Sequence, residues 1–325
     1  MSNPRLDELL AGLRDSTRAL SALQAKDRAA PAPAAATAKQ QAVHELMLDV
    51  ERHFGIHPSP QVENKLNRAF QAMPDHVLRE WLDYLRGQPG DHPEWVSLVE
   101  SLTVHETYFG RDKPMLDMMT ESVFQHVLER KKDSRRLTIW SAGCSTGEEV
   151  YSICMLLLET LLAAGLAGES GNGEIMLDPA WNIDILGTDI SGQVIRVANA
   201  GTYAHFNMGS FRSLPRQHWR FFESMEVASA SEHYRVKNFV RRHVRFQRHN
   251  LMSRQAPGMG IDLVMCRNVM IYFNDEKKAQ AQALLTEALR PEGVLMLGGT
   301  DVLLYPDRYQ RNFGKGGAWY VKKST

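Results

Sequence analysis

Apolar residues in the N-terminal part of the chain recur at three- and four-residue spacing, the period of helices that bury one face. In "PRLDELLAGLRDSTRALSALQAKDR", Leu6, Leu13 and Leu20 stand seven residues apart with Leu9, Leu10 and Leu23 between them. Residues 1–28 therefore read as an amphipathic helix. Residues 29–41, which include "AAPAPAAATAKQ", are a Pro- and Ala-rich linker. A short helix cut off by a linker cannot bury its stripe locally, so it docks on a partner, pairs with itself or packs back on the protein's own surface. From 42 to 102 the segments "AVHELMLDVERHFGI", "VENKLNRAFQAM", "DHVLREWLDYLRG" and "EWVSLVESLTV" keep the helical period, punctuated by Pro58, Pro60, Pro74, Pro89 and Pro93. They predict a small all-helical domain.

After Pro114 the pattern changes. "RRLTIWSAG" is a strand, "GEEVYSICMLLLETLLAAG" a helix, "AGESGNGE" a loop and "WNIDILGTDIS" a second strand ending at Asp189. "RRHVRFQRHNL" and the apolar run "GIDLVMCRNVMIYF" predict further strands, the latter suited to a buried parallel sheet. "DEKKAQAQALLTEALRPEG" is a helix, and "VLMLGG" and "AWYVKK" are closing strands. Strand alternating with helix gives an α/β sheet covered on both faces over residues 103–325. Residues of about 200–243 break the alternation with aromatic and basic positions and form an insertion.

Charge changes the picture little. Lysine plus arginine equal aspartate plus glutamate at 38 each, which removes any global basic field for nucleic acid. Three scattered cysteines, Cys144, Cys154 and Cys266, make neither a disulfide framework nor a zinc site and suit a reducing, cytoplasmic setting. No apolar run approaches the ~18–20 residues of a membrane span, so membrane insertion is not expected. "MSNPRLDELL" lacks the apolar core of a secretory leader.

The chemistry concentrates in "WSAGCSTGEEVYS", residues 140–152. A strand runs into small residues, Ala142 to Gly147, that let backbone come close to a ligand. Two glutamates then occupy the start of the helix, which suits the helix dipole and repels phosphate. The loop lacks the Lys-Ser/Thr of a phosphate-binding loop and the G-x-G-x-x-G of dinucleotide folds. In an open parallel sheet, ligands lie beyond the carboxyl ends of the strands, which gathers this loop, Asp189, Asn250 and "CRNVMIY" at one crevice. Asp189 either takes ribose hydroxyls or caps the helix after it. Glu149 either balances a ligand's ammonium or sulfonium or serves the helix dipole. Arg267 and Asn268 follow a buried strand, with Tyr272 four residues on. "TVHETYFGRD", residues 103–112, is a lid candidate at the junction of the two domains.

The succession "TVHETYFGRD", "WSAGCSTGEEVYSI", "LGTDIS", "HNL", "DLVMCRNVMIYF" and "ALRPEGVLMLGG" closely resembles the CheR family. These are S-adenosylmethionine-dependent enzymes that methyl-esterify glutamates of chemotaxis receptors. The resemblance spans about residues 42–322. It implies a Rossmann-like methyltransferase domain with an inserted antiparallel β-subdomain, preceded by a helical domain. It also implies S-adenosylmethionine as methyl donor, held by His105, Thr107, Arg111, Ala142, Gly143, Glu149, Asp189, Asn250, Leu251, Arg267 and Asn268. Arg111 and Tyr272 would stand beside the transferable methyl as catalytic residues. The implied partners are a receptor's cytoplasmic helical bundle as substrate and, through the β-subdomain, a receptor C-terminal peptide. The chain departs from the family's pattern at His105, commonly asparagine, at Gly110, commonly aromatic, and at "GGTD", residues 298–301. A scaffold that binds the cofactor or its demethylated product without turnover is the competing reading.

Overall fold

The computed structural model describes residues 37–103, 106–226 and 231–324. The expected leading helix and most of the linker lie outside the described residues, as do His105 and residues 227–230. The chain forms two compact units. One comprises the helices up to residue 103 together with Tyr272–Lys277; the other comprises His105–Ile271 and Lys278–Thr325.

The first unit holds α1 (Ala38–Phe54), α2 (Pro60–Ala69), α3 (Asp75–Arg86) and α4 (Pro93–Leu102). The linker expected over 29–41 gives way to helix at Ala38, because Thr37 and Gln40 close a capping box that satisfies the first orphan N–H groups. Proline at the first turn starts α2 and α4, where its missing N–H costs nothing. Val43, Leu46, Met47, Val50, Leu66, Leu85, Trp95 and Leu98 are buried in this unit. Tyr272 belongs here and not with the sheet unit: its carbonyl accepts from His57 N at 2.7 Å, and Phe273 bridges Ile56.

In the second unit α5 (Lys113–Met118) continues through a π-turn at Met119–Val123 into α6 (Phe124–Lys131). Then follow β1 (Arg136–Ala142), α7 (Glu148–Ala163), β2 (Ala167–Glu169), β3 (Ile175–Leu177), β4 (Asn182–Asp189) and α8 (Gly192–Ala200). The insertion supplies β5 (Thr202–His205), β6 (Phe222–Met225) and β7 (Glu232–Val236), and ends at α9 (Asn238–Arg241). The chain closes with β8 (Val244–Arg248), β9 (Ile261–Cys266), α10 (Asp275–Ala288), β10 (Leu289–Leu297), β11 (Tyr309–Gly314) and β12 (Gly317–Lys322).

The seven-stranded sheet has the order β11-β12-β10-β9-β1-β4-β8. β8, β4, β1, β9 and β10 run parallel, and β12 enters antiparallel beside β10. All six residues of β9 are buried, as expected of a parallel strand covered on both faces. One of them is Asp262, whose carboxylate is enclosed by Lys131 Nζ at 2.5 Å, Thr138 N at 2.8 Å and Arg290 Nη1 at 3.2 Å. The insertion is a separate antiparallel sheet, β5-β7-β6.

Two expectations need correction, and one strand was not expected. The expected loop "AGESGNGE" opens with β2, which forms a short hairpin with β3 directly after it. The helix expected to run to "RPEG" stops at Ala288, and β10 begins with a register shift against β9 between Leu289 and Val294. β11, which pairs with "AWYVKK", carries too little alternation to be seen in advance.

Burial in the fold disfavours the charged form of three imidazoles. Burial pushes His126, His243 and His249 down, His243 to about 4. Arg242 Nε donates to His243 Nε2 at 3.2 Å, which requires an unprotonated nitrogen. Unfolded histidine takes its proton near pH 6.5. The unfolded chain therefore binds more protons between about pH 6.5 and 4, and stability present above 6.5 is lost as pH falls through that window. Screening at a part-exposed ring reduces the His243 contribution to about 1–2 kcal/mol. Thermal melts from pH 7.5 to 4.5 should show the loss, and His243→Gln should flatten its slope. An unchanged slope in that variant removes His243 as a cause.

Candidate methyl-donor site

Between β1 and its two parallel neighbours the strand order reverses: β4 lies on one side and β9 on the other. That is the switch point at which α/β sheets open a crevice for ligands. The loop leaving β1 is fastened there by backbone. Gly143 N and Cys144 N both donate to Thr188 O, at 2.7 and 2.8 Å. Gly143 has φ +82 and passes so close to Val269 that a Cβ would lie 2.2 Å from its methyl group. Gly147, at φ +95, caps α7 and leaves no room for a Cβ beside Ala198. The small residues thus serve close approach of protein to protein.

Asp189 ends β4 and is 8 % exposed. One carboxylate oxygen accepts from Ser145 N at 2.9 Å and the other from Ser191 N at 3.0 Å. Ser191, and not Asp189, caps α8 by accepting from Val194 N, while Asp189 braces the turn before it. An ionised carboxylate offers about four lone-pair positions, so each oxygen of Asp189 retains capacity for a hydroxyl donor. His249 N donates to Asp189 O, which brings "HNL" to the same strand end. There Asn250 Oδ1 accepts from Met252 N at 2.9 Å and Leu251 is buried.

Glu149 accepts from Ser141 Oγ and from Arg267 Nη1, both at 2.8 Å. Arg267, 5 % exposed, reaches in the other direction to Asp112 Oδ2 at 3.0 Å and Arg111 O at 3.4 Å. Its Nε is buried and has no hydrogen-bond partner among the described residues. Asp112, adjacent to Arg111, therefore pairs with Arg267 and not with its neighbour. Arg111 itself donates to the carbonyl of Glu106, turning the segment back on itself. Asn268 follows with φ +56 and is exposed.

Carboxylates outnumber cations around the loop. Burial and the charges of Asp189, Glu149 and Glu148 push the Cys144 thiol well up. Such a field opposes phosphate and favours a cationic ligand. Glu148 is one residue the sequence did not single out. It is 2 % exposed, accepts from Thr146 Oγ1 at 2.6 Å and Ser210 Oγ at 2.8 Å, and burial pushes its carboxyl up. Of the paired glutamates the first faces inward, a distinction that adjacency in sequence hides.

Residues 105–315 match the family of the CheR methyltransferase, SAM binding domain. The chain belongs to the CheR methyltransferase family. Over 253 residues it is 32% identical to the chemotaxis protein methyltransferase 1 of Pseudomonas aeruginosa, covering 77% of this chain and 84% of that one. It is also 32% identical over 265 residues to the chemotaxis protein methyltransferase of Listeria monocytogenes, covering 80% and 89%. The relative from Vibrio cholerae, chemotaxis protein methyltransferase 2, is 30% identical over 242 residues.

A CheR methyltransferase uses S-adenosylmethionine, and the residues here fit it. Asp189 is a braced carboxylate with acceptor capacity left for a hydroxyl, no lysine or arginine waits for a phosphate in the 142–147 loop, and the carboxylates nearby suit a cationic ligand. No helix among the described residues is long and apolar enough to cross a membrane.

Proposed function

We propose that the protein transfers the methyl group of S-adenosylmethionine to glutamate side chains of chemoreceptors, as a cytoplasmic protein-glutamate O-methyltransferase serving sensory adaptation. The observation that carries the reading is the braced Asp189 beside the small-residue loop, within a chain whose relatives are named chemotaxis protein methyltransferases. Bound S-adenosylmethionine supplies an electrophilic methyl carbon on a sulfonium.

The chain's own residues have a limited task. Asp189 receives the ribose hydroxyls; Asn250 and Leu251 flank the base; Ala142 and Gly143 line the nucleoside with backbone. Glu149, held by Arg267 and Ser141, takes the ammonium, while Thr107 and Asn268 complete the lining. A glutamate acceptor, with a pKa of about 4.3, is ionised at neutral pH, so no general base is required. Arg111 grips that carboxylate with its planar fork and orients one oxygen for attack. Tyr272, carried over on motif order alone, is assigned to the same alignment. Charge is lost on the way to the transition state, so exclusion of water favours the reaction.

The test is transfer of labelled methyl from S-adenosylmethionine to receptor-containing membranes of the source organism, with alkali-released methanol as readout. Label that alkali releases supports carboxyl methylation. Label that resists alkali overturns the glutamate assignment. Cofactor binding with no label on any receptor fraction overturns the enzyme reading in favour of a non-catalytic sensor.

A further inference from the structure

The buried Glu148 carboxylate stands where three segments meet. Thr146 comes from the small-residue loop and Ser210 from the insertion, and each gives its hydroxyl to a different carboxylate oxygen. The backbone of Ser210 then reaches the third segment, since its carbonyl accepts from Phe109 N at 2.8 Å. Further links run in parallel. Tyr203 Oη, buried in the insertion, donates to Thr146 O at 2.8 Å. Gly110 N donates to Ser152 Oγ at 3.2 Å, and Ser152 Oγ to Glu148 O at 2.7 Å. Arg212 pairs with Glu106 at 2.7 Å and lies 3.7 Å over the Tyr108 ring. The Phe109 ring sits among Tyr203, Phe211 and Phe222, at centroid distances of 4.9 to 5.3 Å.

If packing alone were needed, an apolar residue at position 148 would serve more cheaply, because burying a carboxylate costs several kcal/mol unless every partner is in place. What a doubly satisfied carboxylate adds is specificity: it holds only when loop and insertion are in one register. The loop Phe206–Arg212 that carries Ser210 also presents Phe206 and Met208 to solvent, 58% and 74% exposed, with Met208 at φ +63. The same short loop therefore has outward apolar side chains and an inward hydroxyl on the Glu148 carboxylate at the start of α7.

We propose that Glu148 and Ser210 are positioning residues that couple the inserted sheet to the methyl-donor loop and to the Thr107–Arg111 segment. The proposal rests on the cofactor reading above and concerns a contact between protein groups. Ligand at the small-residue loop stiffens the insertion, and by linkage ordering of the insertion tightens the loop's hold on the cofactor.

Hydrogen exchange of the full chain, with and without S-adenosylhomocysteine as probe, tests this without any acceptor. In the wild type, S-adenosylhomocysteine should slow exchange about fivefold or more at 142–149, at 106–112 and at 203–212. In Ser210→Ala the slowing should persist at 142–149 and fall below about twofold at 203–212, with Kd weakened about threefold to tenfold. Ser210→Thr, which keeps the hydroxyl, should restore both. Undiminished slowing at 203–212 in Ser210→Ala overturns the coupling, as does its absence in the wild type. Faster exchange everywhere in Ser210→Ala without probe overturns it too, because the residue would then be merely structural. Absence of any calorimetric heat with the wild type would instead remove the cofactor reading on which the proposal stands.

Discussion

Arg111→Ala should reduce methyl transfer by about three orders of magnitude while leaving S-adenosylhomocysteine affinity within about threefold of wild type. The size follows from removing a two-pronged, charge-assisted contact to the acceptor carboxylate, worth about 4 kcal/mol in a water-poor site. The split between turnover and affinity follows from position. Arg111 lies on the segment that bonds to itself through Glu106 and to Arg267 through its backbone carbonyl, whereas the braced carboxylate is Asp189, on a different strand. Losing the Arg111 side chain leaves the Arg267 contact to Asp112 in place. Arg111→Lys should recover only part of the loss, since an ammonium cannot form the parallel pair of bonds. Single-turnover transfer, with calorimetric titration of S-adenosylhomocysteine, reads both quantities. Near-normal turnover in Arg111→Ala would sink the assignment of the acceptor clamp.

Asp189→Asn should have the opposite signature: S-adenosylhomocysteine binding weakened by about two to three orders of magnitude, and turnover lost with it. Two charge-assisted bonds to ribose hydroxyls, each worth about 1.5–3 kcal/mol, disappear or become neutral. The substitution also damages the brace. In the wild type each carboxylate oxygen accepts a backbone N–H, from Ser145 and from Ser191. An amide turns one of those acceptors into a donor facing a donor, so the loop is displaced as well as stripped of charge. The check is calorimetry, supported by thermal shift: saturating S-adenosylhomocysteine at 100 Kd should stabilise the wild type by about 2.7 kcal/mol and the variant hardly at all. Wild-type affinity in Asp189→Asn would mean that the ribose is held elsewhere.

Much of the architecture was legible because it rests on local rules. The period change after Pro114, the apolar run of β9 and the small residues between β1 and α7 each have one conformation they suit well. Other features were decided by distance. Glu149 pairs with Arg267 across 118 positions, and Glu148 bonds to Ser210 across 62. Neither pairing leaves a trace in spacing, since nothing in "GEE" says which carboxylate will face the insertion. Asp112 follows Arg111 directly in sequence, yet it pairs with Arg267, 155 positions away. The boundary at Tyr272 was equally hidden, because a backbone bond from His57 cannot be read from side-chain types.

By itself, then, the amino-acid order determined the sheet with its covering helices, the place of the insertion and the residue types that gather at the switch point. Hydrophobic period and chain stiffness act over a few residues and need no partner to be recognised. Tertiary structure alone decided which of the two glutamates is buried, which carboxylates share Arg267, and that the insertion is bonded to the methyl-donor loop. Those outcomes depend on desolvation and on donors brought together from segments far apart in sequence, and neither exists until the chain has folded.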